Sequence, residues 1–199
     1  SQDGQVTPYA TGLRSPAGFR VNPEGDIFYT ENQGDWVGSG RMTHLELGDF
    51  AGNPAGLRWS NEKGSPVSLK VEDIDDTKNL SLYEYQNEMD GVKAPSVWFP
   101  HTLMGISTSD INFFSDKMGP FEGQMVVGDQ GHSKIMRVFQ EKINGVYQGV
   151  CFPFREGFSS GVLRIINNPQ HDAFYIGQTN RGWGSTGQSS YALERISWT

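Results

Sequence analysis

The chain has 199 residues, with 36% hydrophobic and 20% charged side chains, a composition that excludes both a disordered polymer and a membrane-spanning bundle. Its net charge of −7, with no clustered Lys/Arg stripe, argues against a general nucleic-acid binder, because phosphate contacts need dense basic residues. Twenty-five glycines, ten prolines and 12% aromatics suit an all-β protein of short strands and tight turns better than a helical bundle.

Taken in chain order, the segments repeat. The first unit approaches through Gly12 and Leu13, runs to Val21, turns at Asn22-Pro23-Glu24-Gly25-Asp26 and returns through Ile27-Phe28-Tyr29-Thr30-Glu31-Asn32. A later strand follows at Arg41–Leu45. The second unit begins at Ser109–Phe114, turns through Gly119-Pro120-Phe121-Glu122-Gly123 and returns as Gln124–Gln130, with a later strand at Lys134–Val138. The third runs Ser160–Ile166, turns at Asn168-Pro169-Gln170-His171-Asp172, returns as Ala173–Thr179 and ends with Tyr191–Ile196.

The polar clusters closing each return strand start at Glu31, Asp129 and Gln178, so the last interval is roughly 50 residues and the first about twice that. Short strands at this period predict propeller blades. The fold expected is all-β: four-stranded antiparallel blades, three to four of a six-bladed ring, in one domain over 1–199 with an insertion at about 61–93. The remaining blades would precede this segment in the same polypeptide. Within the insertion, the acidic stretch from Asp75 is expected to start a short helix. Glu72–Asp76 lacks the alternating ligands of an EF-hand loop and reads as solvated. Asn79-Leu80-Ser81 matches a glycosylation sequon, a pattern frequent by chance.

The order Arg14-Ser15-Pro16-Ala17-Gly18, Pro23-Glu24-Gly25, Glu31-Asn32-Gln33-Gly34 and Gly48–Pro54 resembles the quinone-dependent glucose/sorbosone dehydrogenase propellers. The later Gly119–Gln124 and Val127–Gln130 are similar to exported dehydrogenase-like propellers of planctomycete-type bacteria. The resemblance implies pyrroloquinoline quinone (PQQ) and calcium as cofactors, a small sugar or alcohol as substrate, and a periplasmic or extracellular location. A c-type haem domain or protein would take the electrons. It assigns quinone contacts to Arg14, to Ser15 where the family has Asn, and to Trp98 with His101 or Thr102. Calcium would sit on the backbone carbonyls of Gln33 and Gly34. The family's cofactor-contacting lysine falls at Gly131, beside His132, and its general-base histidine belongs to an earlier blade. The alternative is a catalytically degenerate propeller that binds carbohydrate or scaffolds an electron-transfer or envelope complex.

From the residues alone, the strand-end polar groups Asn32, Asp35, Asp129, Gln130, Gln178, Asn180 and Arg181 form a candidate ring of channel ligands, or else they cap turns. Trp183, in a glycine-rich loop beside Arg181, is a candidate for stacking on a sugar, or packs over a neighbouring blade. Trp36 lines the mouth or plugs a blade interface. No histidines are spaced as a zinc site. His44 and His171 read as incidental, and His101 or His132 as a substitute base. Cys151, the lone cysteine, reads as a small buried hydrophobe.

Overall fold

The computed structural model describes residues 4–181 and 184–199. Among the described residues, eleven strands form three antiparallel sheets. The first contains β1 (Pro16–Val21), β2 (Ile27–Glu31), β3 (Gly40–Leu45) and β4 (Val97–Phe99) in that order. The second contains β5 (Thr108–Phe113), β6 (Met125–Asp129), β7 (Lys134–Ile143) and β8 (Val146–Arg155). The third has three strands, β9 (Gly161–Asn167), β10 (Ala173–Thr179) and β11 (Tyr191–Ser197), where a fourth was expected. Each sheet is an up-and-down meander whose first strand faces the first strand of its neighbour, β1 on β5 and β5 on β9. These are successive propeller blades.

The turns explain the repeat. Asn22 and Asn168 each accept the amide four residues on, from Asp26 at 2.7 Å and Asp172 at 3.0 Å. The fourth turn residue then enters the left-handed region, Gly25 at φ 92° and His171 at φ 56°. Asparagine side chains mimic a backbone acceptor in such turns, so both units read alike. Asn144-Gly145, both at positive φ, close the β7–β8 hairpin as the tight two-residue turn that long paired strands favour.

Alternation along the strands separates two faces per blade. Phe28, Met42, Val97 and Phe99 pack against Ile111, Met125, Val127, Met136 and Val138 between the first two blades. Val126, Ile135, Val162, Ile165, Phe174 and Ile176 fill the second interface. Polar groups sew the blades together: Ser109 Oγ donates to Val162 O at 2.7 Å and Arg20 Nε to Ile111 O at 2.7 Å. Asp110 accepts from the Ile165 amide at 2.9 Å.

Between β3 and β4 the chain makes an excursion over residues 46–96. Its core of Phe50, Leu57, Val67, Leu69, Leu82, Tyr85 and Val92 is completed by Val37 from the β2–β3 loop. Asp75 caps only a 3-10 turn at Asp76–Lys78; the helix α1 (Leu82–Glu88) starts later, under a Ser81/Glu84 capping box. The capping box out-competes the acidic run because it satisfies two orphan amide donors at once.

Two further expectations are corrected. Cys151 is half-buried on β8, whose apolar run is largely exposed because it forms the outermost strand. Burial pushes the Cys151 thiol up from its ordinary value. His44 is buried on β3, packed against Phe28 and Tyr147 and 3.5 Å from Asp26.

Candidate functional site

The antiparallel order puts the starts of β1, β5 and β9 and the ends of β2, β6 and β10 at one rim of the blades. There Pro16 pairs with Glu31, Thr108 with Asp129 and Gly161 with Thr179. At or next to each pairing, a polar side chain at the end of the second strand holds the loop that enters the first. Glu31 accepts the amides of Arg14 and Ser15, each at 2.9 Å. Asp129 accepts those of Ile106 at 3.0 Å and Ser107 at 2.6 Å, and that of His132 at 2.9 Å. Gln178 accepts that of Ser160 at 2.7 Å. All three holders are buried. The recurring cluster is therefore a clamp built into each blade, one strand out from the innermost.

The first clamp is the most elaborate. Glu31 also pairs with Arg41 and accepts the Tyr29 hydroxyl at 2.8 Å. Burial raises the Tyr29 hydroxyl above its ordinary value, so it remains a donor. Arg41 is almost wholly buried and also reaches the Asn32 carbonyl at 3.4 Å and the Ser39 carbonyl at 3.5 Å. Such an ion pair holds only because hydrogen bonds surround it. Its effect is to fix the Arg14-Ser15 backbone while leaving both side chains exposed at the rim.

The Arg14 guanidinium donates to the Gln33 carbonyl at 3.2 Å. That is one of the two carbonyls assigned to calcium by resemblance. Calcium takes six to eight oxygens; here one carbonyl already meets a cation, and Gln33 Oε1 is a single buried oxygen without a donor. Among the described residues no group of three or more His, Cys, Asp or Glu converges. As folded, these residues do not fit calcium.

The remaining candidates lie apart. Trp98, on β4, is three strands outward from the strand that Arg14 precedes, about 14 Å at the usual spacing. His101 and Thr102 stand in the loop leaving β4; His101 Nδ1 is buried without a partner, and Thr102 is exposed at φ 65°. Gly131 has no room for a lysine, since a Cβ there would lie 2.8 Å from Ile106 Cβ. Asp35 and Arg181 are exposed, and Asn32 is half-buried. The Gln130 amide donates to Thr179 O at 3.3 Å, and Asn180 Oδ1 accepts from the Ser185 amide at 2.7 Å. Trp183 lies outside the described residues. Trp36 packs on Phe50 and Tyr85, and its indole donates to Asp76 at 2.9 Å, so it secures the excursion.

Sequence reasoning missed the groove beside Arg14. The strip Ala10–Arg14 and the 3-10 turn Pro54–Trp59 enclose about 360 Å³, lined by Arg14, Asn53, Arg58 and Trp59. No motif spacing signals it, because its walls come from two segments that the fold lays side by side.

Comparison with solved structures supports the architecture. An oxidoreductase described as a glucose dehydrogenase, from Thermus thermophilus, superposes with a TM-score of 0.62 at 17% identity. That match covers 94% of this chain and 47% of the other. The PQQ-bound aldose sugar dehydrogenase of Streptomyces coelicolor superposes at 0.53, also with 17% identity, covering 97% and 48%. The fold is shared. The chain spans about half the length of each of these proteins. No family model and no curated protein matches the sequence.

Proposed function

We propose that this chain is the quinone-anchoring part of a dehydrogenase-like propeller that acts on a sugar or alcohol in the periplasm or outside the cell, with a c-type haem partner as electron acceptor. The observation that carries the reading is the Glu31 clamp, which fixes the Arg14 backbone and leaves its guanidinium at the rim. The likeness to a PQQ-bound aldose sugar dehydrogenase supports the choice of cofactor. A guanidinium fork suits a planar, carboxylate-bearing quinone because its paired donors have fixed geometry. When bound, PQQ supplies the acceptor for the hydride of a C–H bond beside a hydroxyl. Arg14 orients it, Ser15 offers a short hydroxyl beside it, and the Glu31–Arg41 pair keeps both from shifting. The bare face of the third blade suits further blades, which would complete a six-bladed ring. A preceding blade would meet the excursion rather than the first sheet directly.

The second reading is a catalytically degenerate, carbohydrate-binding propeller. It is favoured by the engaged Gln33 carbonyl and by the closed space at Gly131. An absorbance titration with PQQ, run with and without a calcium chelator, separates the two. Saturable one-to-one binding, insensitive to chelator, is the expected result. Absence of any saturable spectral change up to high micromolar quinone would leave the carbohydrate-binding reading.

A further inference from the structure

We infer that the groove between residues 10–14 and the 3-10 turn Pro54–Trp59 binds the carboxylate of an acidic sugar, such as a uronic acid unit of an oligosaccharide. Charge comes first. In a chain of net charge −7, this groove of about 360 Å³ is lined by two arginines and no acid. Among the described residues, no carboxylate oxygen lies within 4 Å of the guanidinium nitrogens of Arg14 or Arg58; Glu31 meets Arg14 only at its backbone amide. An unneutralised guanidinium pair on an acidic protein attracts a small anion while the surrounding field disfavours a polyanion.

Shape and chemistry narrow the ligand. Trp59 is 55% exposed, and the Arg58 guanidinium lies 4.9 Å from its ring centroid, which holds the indole in place. A flat apolar face beside a cation suits a sugar ring that carries a carboxylate. Asn53 stands at the N-cap of the turn without capping it, so its amide remains for hydroxyl groups.

The walls are pre-set. Ala51 and Asn53 donate their amides to Thr11 O at 2.8 Å and Gly12 O at 2.9 Å, and Thr11 Oγ1 donates to Gly56 O at 3.0 Å. A Cβ at Gly56 would lie 2.6 Å from the Gly12 nitrogen, so the two segments approach as closely as backbone allows. Leu57 anchors the turn from below, buried in the excursion core. A site already in its bound shape loses little affinity to ordering.

The inference rests on reading the Arg14 rim as a ligand mouth, but it can fail separately from quinone binding. The test is calorimetric titration of the quinone-free protein with trigalacturonate, against cellotriose, AMP and inorganic phosphate. Trigalacturonate should bind saturably and at least tenfold more tightly than each of the other three. R58A and W59A should each weaken it at least tenfold, W59F much less, and R58A should leave PQQ binding unchanged. R58Q and W59L serve if an alanine variant does not fold. Equal affinity for cellotriose would overturn the role of charge, and equal affinity for AMP or phosphate would overturn the sugar. Undetectable binding, or wild-type affinity in R58A, would overturn the site. Weakened PQQ binding in R58A would assign the groove to the quinone instead.

Discussion

The two flanks of the three-blade stack meet solvent in opposite ways. On the first blade, Tyr29 and Leu45 point away from the second blade and are buried under Ala10, Leu13 and Ala51. Beyond them the excursion adds its own core around Phe50 and Leu57. On the third blade the outward face leaves Ile166 56%, Leu193 72% and Tyr191 79% exposed. Both are faces of short antiparallel meanders with apolar residues at alternate positions. One is finished by the chain's own excursion; the other leaves large apolar side chains in solvent between Arg164 and Arg195. The Glu31 clamp and Arg14 belong to the finished flank. That suits a site which must hold a guanidinium in place, since precise geometry needs a packed support.

The comparison can be broken most forcefully at the clamp. Glu31→Ala leaves Arg41 buried without its partner and should destabilise the fold by about 3–5 kcal/mol in urea unfolding. Truncating a leucine on each flank sharpens the contrast. Leu57→Ala, in the excursion core, should lower stability by about 2–5 kcal/mol. Leu193→Ala, on the open face, should change it by less than about 0.5 kcal/mol. Equal losses would mean that the open face is packed in solution.

A subtler test concerns the contact between the first two blades at their far end. Asp26 accepts the Tyr147 hydroxyl at 2.6 Å and the Lys142 ammonium at 3.0 Å, and these bonds hold its carboxyl below the ordinary value of 3.8. Burial holds His44 below its ordinary 6.5, with Lys93, Glu46, Asp26 and Lys142 as the charges around it. Both shifts act in one direction. His44 contributes stability above its unfolded value near 6.5, lost as pH falls through its lower folded value. Asp26 contributes stability above 3.8, lost only in stronger acid. Urea midpoints should therefore fall on going from pH 7.5 to 5, and His44→Gln should flatten that decline.

Much of this fold was legible in the sequence. The paired turns at Asn22 and Asn168 and the strands around them follow from local chemistry. The strands β4 and β8 were not read as elements. The first has three residues after a long excursion, and the second carries Gly149 and Pro153 within an exposed outer edge. Arg14 was reached through resemblance. The role of Glu31 was not, because an acid at a strand end looks the same whether it faces a channel or clamps a loop; only the Pro16–Glu31 register decides. Arg58 and Trp59 were missed because their partner wall lies more than forty residues earlier in the chain.

The most direct test of the central claim is a PQQ absorbance titration comparing the wild type with Arg14→Ala and Ser15→Ala. Saturable binding that is lost in the first variant and retained in the second is the predicted outcome. Wild-type affinity in Arg14→Ala would contradict the account, since the clamp would then present a side chain that the ligand does not use.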